Sequence, residues 1–189
     1  MIKVIQLRIT LASSEPPIWR RVLVADSITF FDLHHIFQIA MGWKNAHLFD
    51  FRVGNYVIGY IDSDAPEDLA DANIVTIDTL IIKAGMRLAY TYDFGDGWNH
   101  IVEVEEISEG ESSSQYPICL DGKRNCPPED CGGIPGYQHL LEVLKDKSHP
   151  EYSEMKRWAG RGYDPEKFDV EKVNKLLPKF KGYMRMWKG

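Results

Sequence analysis

Apolar and polar residues alternate with a period of two in several runs within the first 108 residues, and this alternation constrains the fold more than any other feature. The first run places Ile5, Leu7, Ile9 and Leu11 on one side of the chain. Alternation of this kind is typical of a strand with one buried face. Further runs cover residues 19–24, 49–53, 56–60, 86–92 and 102–105. The pattern predicts an antiparallel or mixed β-sheet.

Helical spacing replaces this alternation in four places. Thr29 and Asp32 have the spacing of a capping box, apolar residues follow at helical intervals, and Gly42 is a natural stop. A first helix is therefore predicted over residues 30–41. Further helical patterns cover residues 137–144, 155–159 and 170–177. The order of elements predicts an α+β fold, with the sheet packed on helices, a β-grasp-like first half and a helical C-terminal part.

Composition divides the chain into three parts of one predicted domain of 189 residues. Residues 1–108 are sheet-rich, residues 109–136 are dense in Gly, Pro and Cys, and residues 137–189 are helical with a basic end. The middle part has little periodicity and is predicted to be a loop. A chain of this length buries roughly 70% of its surface on folding, so its core does not depend on disulfides or metals.

The formal net charge of −6 hides a difference between the two ends of the chain. Residues 1–138 have a balance of −10, which argues against a general nucleic-acid-binding surface there, and residues 139–189 have a balance of +4. The basic tail residues are Lys179, Lys181, Arg185 and Lys188, interleaved with Phe180, Tyr183 and Trp187. We expect this tail to dock on its own domain, with contacts to nucleic acid or a membrane surface as the alternatives.

Three observations indicate a cytoplasmic protein that does not enter a membrane. No stretch approaches the ~20 apolar residues that span a bilayer. The first residues begin a strand pattern directly and contain no secretory signal. The chain has three cysteines, so at least one thiol cannot form a disulfide within it. Free thiols are typical of proteins in a reducing compartment.

The connection between two predicted strands carries a dense set of polar residues. Asp93, Asp96 and His100 occur within eight positions, together with Trp98. Two carboxylates and an imidazole can bind a cation or share a proton. Alternatively, Asp and Gly only form the turn and Trp98 covers the edge of the sheet.

The cysteines offer a second candidate site. Cys119, Cys126 and Cys131 are separated by gaps of which only the second is close to zinc-ligand spacing, and a fourth ligand would be His100, His139 or an acid. Two alternatives are buried free thiols and a nucleophilic Cys131, activated by the start of the helix that follows it. No cofactor is predicted from these patterns, and zinc is left open.

Two long and unusual motifs carry a resemblance to a known family. They run from Tyr92 to His100 and from Cys126 to Gly133, and shorter matches include the stretch from Pro17 to Val22. Over residues 3–178 the chain resembles the plasmid "ORF-three-like" proteins, first named from a root-inducing Agrobacterium plasmid. Some members carry the names of transposon resolvases or insertion-element passengers. The resemblance implies an association with mobile elements and assigns no catalytic residues.

Two functional hypotheses follow. The first is a non-enzymatic binding or accessory module associated with mobile elements, with a protein, a peptide or nucleic acid as its partner. The second is a small metal-binding protein or hydrolase-like enzyme. Its site would combine the 93–100 loop with Glu129, Asp130 and His47. The second hypothesis requires that these side chains meet in the folded chain.

Overall fold

The computed structural model describes residues 2–111, 115–160 and 162–183. Within these residues, the strands form one sheet in the order β5-β4-β3-β6-β7-β1-β2-β8. Neighbouring strands are antiparallel except for β4 and β5, which are parallel. The strands are β1 (Ile2–Leu11), β2 (Trp19–Ala25), β3 (Phe49–Val53), β4 (Tyr56–Gly59), β5 (Ala70–Asp71), β6 (Arg87–Tyr92), β7 (Trp98–Gly110) and β8 (Ile118–Lys123).

Helices flank this sheet, and all but the first lie in the C-terminal part of the chain. They are α1 (Phe30–Met41), α2 (Gly133–Lys145), α3 (Tyr152–Trp158) and α4 (Val170–Leu176), with 3-10 turns at Ile77–Thr79 and Leu177–Gly182. The predicted α+β class, the mixed sheet and the helical C-terminal part are therefore confirmed. Among the described residues, no helix combines the length and the apolar composition needed to cross a bilayer.

The first helix has the predicted bounds because both of its ends are capped as the sequence indicates. The Thr29 side chain accepts a hydrogen bond from the backbone N–H of Asp32, at 3.1 Å. At the other end, Gly42 adopts a left-handed conformation with φ of 95°. Helix α1 follows the β1–β2 hairpin, and its Phe37 ring packs against Phe51 and Tyr90 of the sheet. This aromatic layer is the centre of the core.

Arg20 joins the helix to the edge of the sheet. The side chain is 1% exposed. Its Nε donates to the carbonyl of Ala40 at 2.8 Å, and its Nη1 donates to the carbonyls of Trp19 and Lys123, also at 2.8 Å. The Ala40 carbonyl lies in the last turn of α1, where carbonyls have no partner within the helix. Arg20 thus holds together β2, β8 and the end of α1.

Strand β8 lies within the segment that the sequence predicts to be a loop. It pairs with β2, with a register shift between Arg21 and Val22. Its sequence has turn-forming Asp121 and Gly122 in place of alternating apolar residues, so the periodicity gives no signal. Helix α4 contributes the missing support: the Asn174 side chain accepts from the N–H of Cys119 at 2.7 Å and donates to its carbonyl at 2.9 Å.

Three of the described histidines, His34, His35 and His100, are buried in the core. His34 contacts the Tyr90 hydroxyl at 2.8 Å and the Asn45 side-chain oxygen at 2.6 Å through its two ring nitrogens. His100 lies between Trp43 and Tyr90. Burial lowers the pKa of His34 well below its usual value and lowers the pKa of His100 to about 3. Both rings therefore stay neutral in the folded protein near neutral pH.

Lowering the pH from 7 to 6 is expected to reduce the free energy of unfolding by about 1–2 kcal/mol. In the unfolded chain the imidazoles of His34, His35 and His100 take up protons near their ordinary pKa of about 6.5, whereas burial holds the pKa of each folded ring lower. Each contributes less than about 1 kcal/mol over this interval. Urea unfolding at the two pH values measures the change. A free energy of unfolding that stays constant or rises on acidification contradicts the prediction.

Candidate metal site

Three segments that are far apart in the sequence meet beside the loop between β6 and β7. Glu129 connects them: its Oε1 accepts from the N–H of Lys44 at 2.7 Å and from the Tyr92 hydroxyl at 2.8 Å. The same hydroxyl accepts from the N–H of Ala46 at 2.8 Å. Burial and the adjacent Glu129 carboxylate raise the pKa of Tyr92. The hydroxyl therefore stays protonated and can donate to Glu129.

The 93–97 loop and the start of α2 are joined directly. Asp93 Oδ1 accepts from the N–H groups of Gly95 and Asp96, at 2.9 and 3.3 Å, and this fixes the turn. Asp96 Oδ2 then accepts from the N–H of Gly132 at 3.2 Å. The two carboxylates thus bind different backbone segments. Asp96 positions the segment that follows Asp130.

A histidine and two carboxylates converge at this junction. His47 Nε2 lies 3.1 Å from Asp130 Oδ1 and 3.6 Å from Asp93 Oδ2. One ligand atom from each of the three residues lies within 4.8 Å of the other two. In residues 2–111, 115–160 and 162–183, no other group of at least three His, Cys, Asp or Glu side chains has this geometry. We call these three residues the His47 cluster.

The His47 cluster is rich in negative charge. Asp93 is buried, with 7% of its surface exposed. Among the described residues, no lysine or arginine forms an ion pair with Asp93, Asp96, Glu129 or Asp130. His47 Nε2 is itself buried and has no hydrogen bond of good geometry to a described residue. The Asp93 carboxylate is stabilised by two backbone N–H groups, and a bound cation would add the positive charge that lysine and arginine do not supply.

The spacing of the cluster suits a small divalent ion. Bonds of about 2.0–2.2 Å to a tetrahedral ion place its ligand atoms about 3.3–3.6 Å apart. The separations of 3.1 and 3.6 Å from the His47 nitrogen are close to that range. An imidazole among the ligands favours a transition metal such as zinc over calcium or magnesium.

Two of the predicted site residues lie elsewhere. Trp98 and His100 are fully buried and point into the core from β7, away from the His47 cluster. Trp98 packs on Trp43 with ring centroids 5.8 Å apart, so it is part of the interior and does not cover the sheet edge. The Trp43 indole donates to the carbonyl of Pro127 at 3.1 Å. The two indole rings therefore support, from the core side, the segment that contains Asp130.

The three cysteines do not form a zinc site in the described part of the chain. Cys119 and Cys126 are buried, and burial raises the pKa of each thiol to about 11. Cys126 Sγ contacts Met41 Sδ at 3.6 Å, and Cys131 Sγ lies 3.9 Å from the Gly133 carbonyl. Burial, followed by Asp96, raises the pKa of Cys131 to about 12. This direction is opposite to the one that an activated thiol requires, so it gives no support to a nucleophilic Cys131.

The described part of the basic tail lies against the domain. Phe180 is buried, and the Tyr183 hydroxyl donates to the carbonyl of Trp43 at 2.7 Å. Lys179 and Lys181 flank Phe180 on the 3-10 turn. Arg185 and Lys188 lie outside the described residues. Docking thus accounts for the tail as far as residue 183, and a nucleic-acid partner stays a prediction.

Two surface clefts border the cluster and were not predicted. They have volumes of about 280 and 270 Å³, and both are lined by Asp130 and Trp158. Trp158 ends α3 and is 46% exposed. Tyr92 was also missed as a site residue, although it lies within the motif that starts the loop. Its alternation with Tyr90 indicates a core position, and only its hydroxyl reaches the site.

The fold and the cluster together define an α+β protein with a histidine–carboxylate group beside a surface cleft. The chain belongs to the family of plasmid pRiA4b ORF-3-like proteins, whose model matches residues 3–172. This confirms the resemblance carried by the two long motifs.

Two relatives of unassigned function cover most of the chain. One, the uncharacterized protein y4hQ of Sinorhizobium fredii, is 36% identical over 176 residues, which cover 92% of this chain and 90% of that protein. The other is the crystal structure of MM3350, a protein of unknown function from Methanosarcina mazei Go1. It is similar with a TM-score of 0.83 and 36% identity, over 92% of this chain and 98% of that one. These names describe no activity.

Proposed function

We propose that this protein binds a divalent transition-metal ion such as Zn²⁺ through His47, Asp93 and Asp130. One observation carries the proposal: three ligand atoms from separate segments lie within 4.8 Å of one another, and no lysine or arginine of the described residues pairs with them. The residues were candidates from the sequence alone, and the fold supplies the reason for their proximity.

The surrounding contacts support a preformed site. Glu129 and Tyr92 tie the Asp130 segment to the segment before His47. Asp93 is held by two backbone N–H groups through Oδ1, which leaves Oδ2 directed at His47. Hydrogen bonds that hold metal ligands in this way orient them and strengthen metal binding.

Three protein ligands leave at least one position of a four-coordinate ion open. The two clefts meet at Asp130, so an open position would face a ligand bound in one of them. We infer that the bound ion serves to hold a partner or a small molecule at this surface. A non-enzymatic binding module is consistent with this role. Its association with mobile elements and its cytoplasmic location stay predictions from the resemblance and the sequence.

Replacing Asp93 by Asn is expected to weaken Zn²⁺ binding about 100-fold or more. Removing a group that only hydrogen-bonds to a metal ligand already costs about 10–100-fold in affinity, so removing a charged ligand costs at least as much. The substituted asparagine would keep the side-chain oxygen that accepts from Gly95 and Asp96. The turn should therefore survive. Competition with a chromogenic chelator, after dialysis against EDTA, measures affinity and stoichiometry.

Two control variants separate this site from other zinc-binding groups. Asp64→Asn removes an exposed carboxylate from the acidic loop and should leave the affinity unchanged. Cys131→Ser tests whether a thiol holds the ion. The proposal fails if the parent protein binds no zinc at one equivalent. It also fails if Asp93→Asn binds as tightly as Asp64→Asn.

A further inference from the structure

A third cleft, which shares no lining residue with the His47 cluster, is lined by cations and aromatic rings. Its volume is about 560 Å³. Arg8 of β1 and Trp19 of β2 form one wall, and residues from β8 and the segment before α4 form the other. The lining residues that matter here are Arg8, Trp19, Lys123, Arg124, Glu166 and Phe168. We call this the Arg8 cleft.

The cations of the Arg8 cleft exceed its anions. Arg124 is paired with Glu166, with its Nη2 2.6 Å from a carboxylate oxygen, and its Nη1 donates to the carbonyl of Pro16 at 3.0 Å. Arg8 and Lys123 form no ion pair with any residue in the described ranges. The cleft therefore presents two unpaired positive charges beside one neutralised pair.

Arg8 is held in place although no acid pairs with it. Its guanidinium carbon lies 4.6 Å from the centroid of the Trp19 ring. Its Nε is buried and has no hydrogen-bond partner among the residues that the structure describes. The neighbouring Glu105 is already occupied, because Arg21 binds both of its oxygens at 2.6 and 2.8 Å and Gln6 donates to one of them at 2.7 Å.

Arg8 interacts with Glu105 only at longer range, so the fork of its guanidinium, whose buried Nε has no hydrogen-bond partner among the described residues, has no bound oxyanion. The planar fork of arginine fits the two oxygens of a carboxylate or phosphate. Phe168 and the Pro16–Pro17 turn add an apolar wall next to that fork. We propose that the Arg8 cleft binds a small oxyanion, a carboxylate or phosphate, borne on a flat apolar group. The oxyanion contacts Arg8 and Lys123, and the apolar group packs against Phe168.

Titrations with phenyl phosphate and benzoate test this assignment on the full chain. Indole N–H resonances of ¹⁵N-labelled protein report binding, with the Trp19 signal identified through Trp19→Phe. The two ligands distinguish a phosphate from a carboxylate preference, and neutral benzyl alcohol controls for apolar binding alone. We expect at least one of the two anions to shift the Trp19 signal saturably. Benzyl alcohol should not produce this shift.

Arg8→Gln should weaken that binding about tenfold or more, since a hydrogen bond to a charged group contributes about 1.5–3 kcal/mol. Arg87→Gln is the matched control, because Arg87 lies on the sheet, is exposed and is paired with Glu103. It should bind as the parent does. The absence of a saturable shift with either anion overturns the proposal, as does equal binding by Arg8→Gln and Arg87→Gln. Unchanged dispersion of the remaining amide signals shows that the variants are folded.

Discussion

Replacing Arg20 by Met is expected to lower the free energy of unfolding by about 3 kcal/mol. The carbonyls of Trp19, Ala40 and Lys123 would each lose the donor that Arg20 supplies. A buried acceptor left without a donor costs about 1–3 kcal/mol. Removing the buried guanidinium charge offsets part of this loss, since no carboxylate of the described residues pairs with it.

Urea unfolding followed by circular dichroism measures this change. Arg21→Met is the matched control, because Arg21 is the next residue of β2 but lies on the surface side, paired with Glu105. An exposed ion pair contributes about 0–1 kcal/mol, and this part-buried bidentate pair should contribute about 1–2 kcal/mol, less than the interior hydrogen bonds of Arg20. Equal destabilisation by the two variants would show that the interior hydrogen bonds of Arg20 have no special role.

Gly133→Ala is expected to destabilise the fold by about 3 kcal/mol and to weaken zinc binding. Gly133 has φ of 65°, and an added Cβ would lie 2.4 Å from the carbonyl oxygen of Asp96. The left-handed conformation costs an L-residue roughly 1–2 kcal/mol. Relieving the contact costs roughly 1–3 kcal/mol more. The 93–97 loop would have to move away from the start of α2, which separates Asp93 from Asp130.

Substitution of a second glycine measures the cost of the left-handed backbone conformation alone. Gly54 has φ of 59° in the turn between β3 and β4, and a Cβ there would meet no atom within 4 Å. Gly54→Ala should therefore cost about 1 kcal/mol and leave zinc affinity unchanged. Thermal unfolding and the chelator competition give both quantities for each variant. If Gly133→Ala matches Gly54→Ala in both, the close approach of the two segments does not hold the site together.

Local sequence patterns correctly predicted the helix and the hairpin that neighbouring residues stabilise. Helix α1 has its predicted bounds since Thr29 and Gly42 cap it through neighbouring residues. The hairpin at Gly54 follows from its two-residue turn. Strand β8 was missed because its stability comes from β2 and from Asn174, which are distant in the sequence.

The candidate site was likewise predicted in part, because its residue types are visible in the sequence and its long-range contacts are not. His47, Asp93 and Asp130 were named from residue type alone, and their proximity depends on long-range contacts that no periodicity reports. Trp98 and His100 were predicted together with them but are not among the three ligand groups that converge. Both are in phase with Val102 along β7, so the period-two pattern contained the information that they face the core. Their residue types suggested a site, whereas their positions in the alternation indicated burial.

The position of β1 in the sheet has a consequence for how the chain folds. β1 lies between β2 and β7, and its pairing with β7 joins residues 2–11 to residues 100–110. During synthesis, the β1–β2 hairpin is complete long before β7 emerges, so one edge of β1 stays unpaired in the nascent chain. Non-local strand pairing is slow, and unpaired edges promote aggregation. The pairing of β1 with β7 at the centre of the sheet therefore waits until residue 110 has been synthesised, and β8 can join β2 only after that.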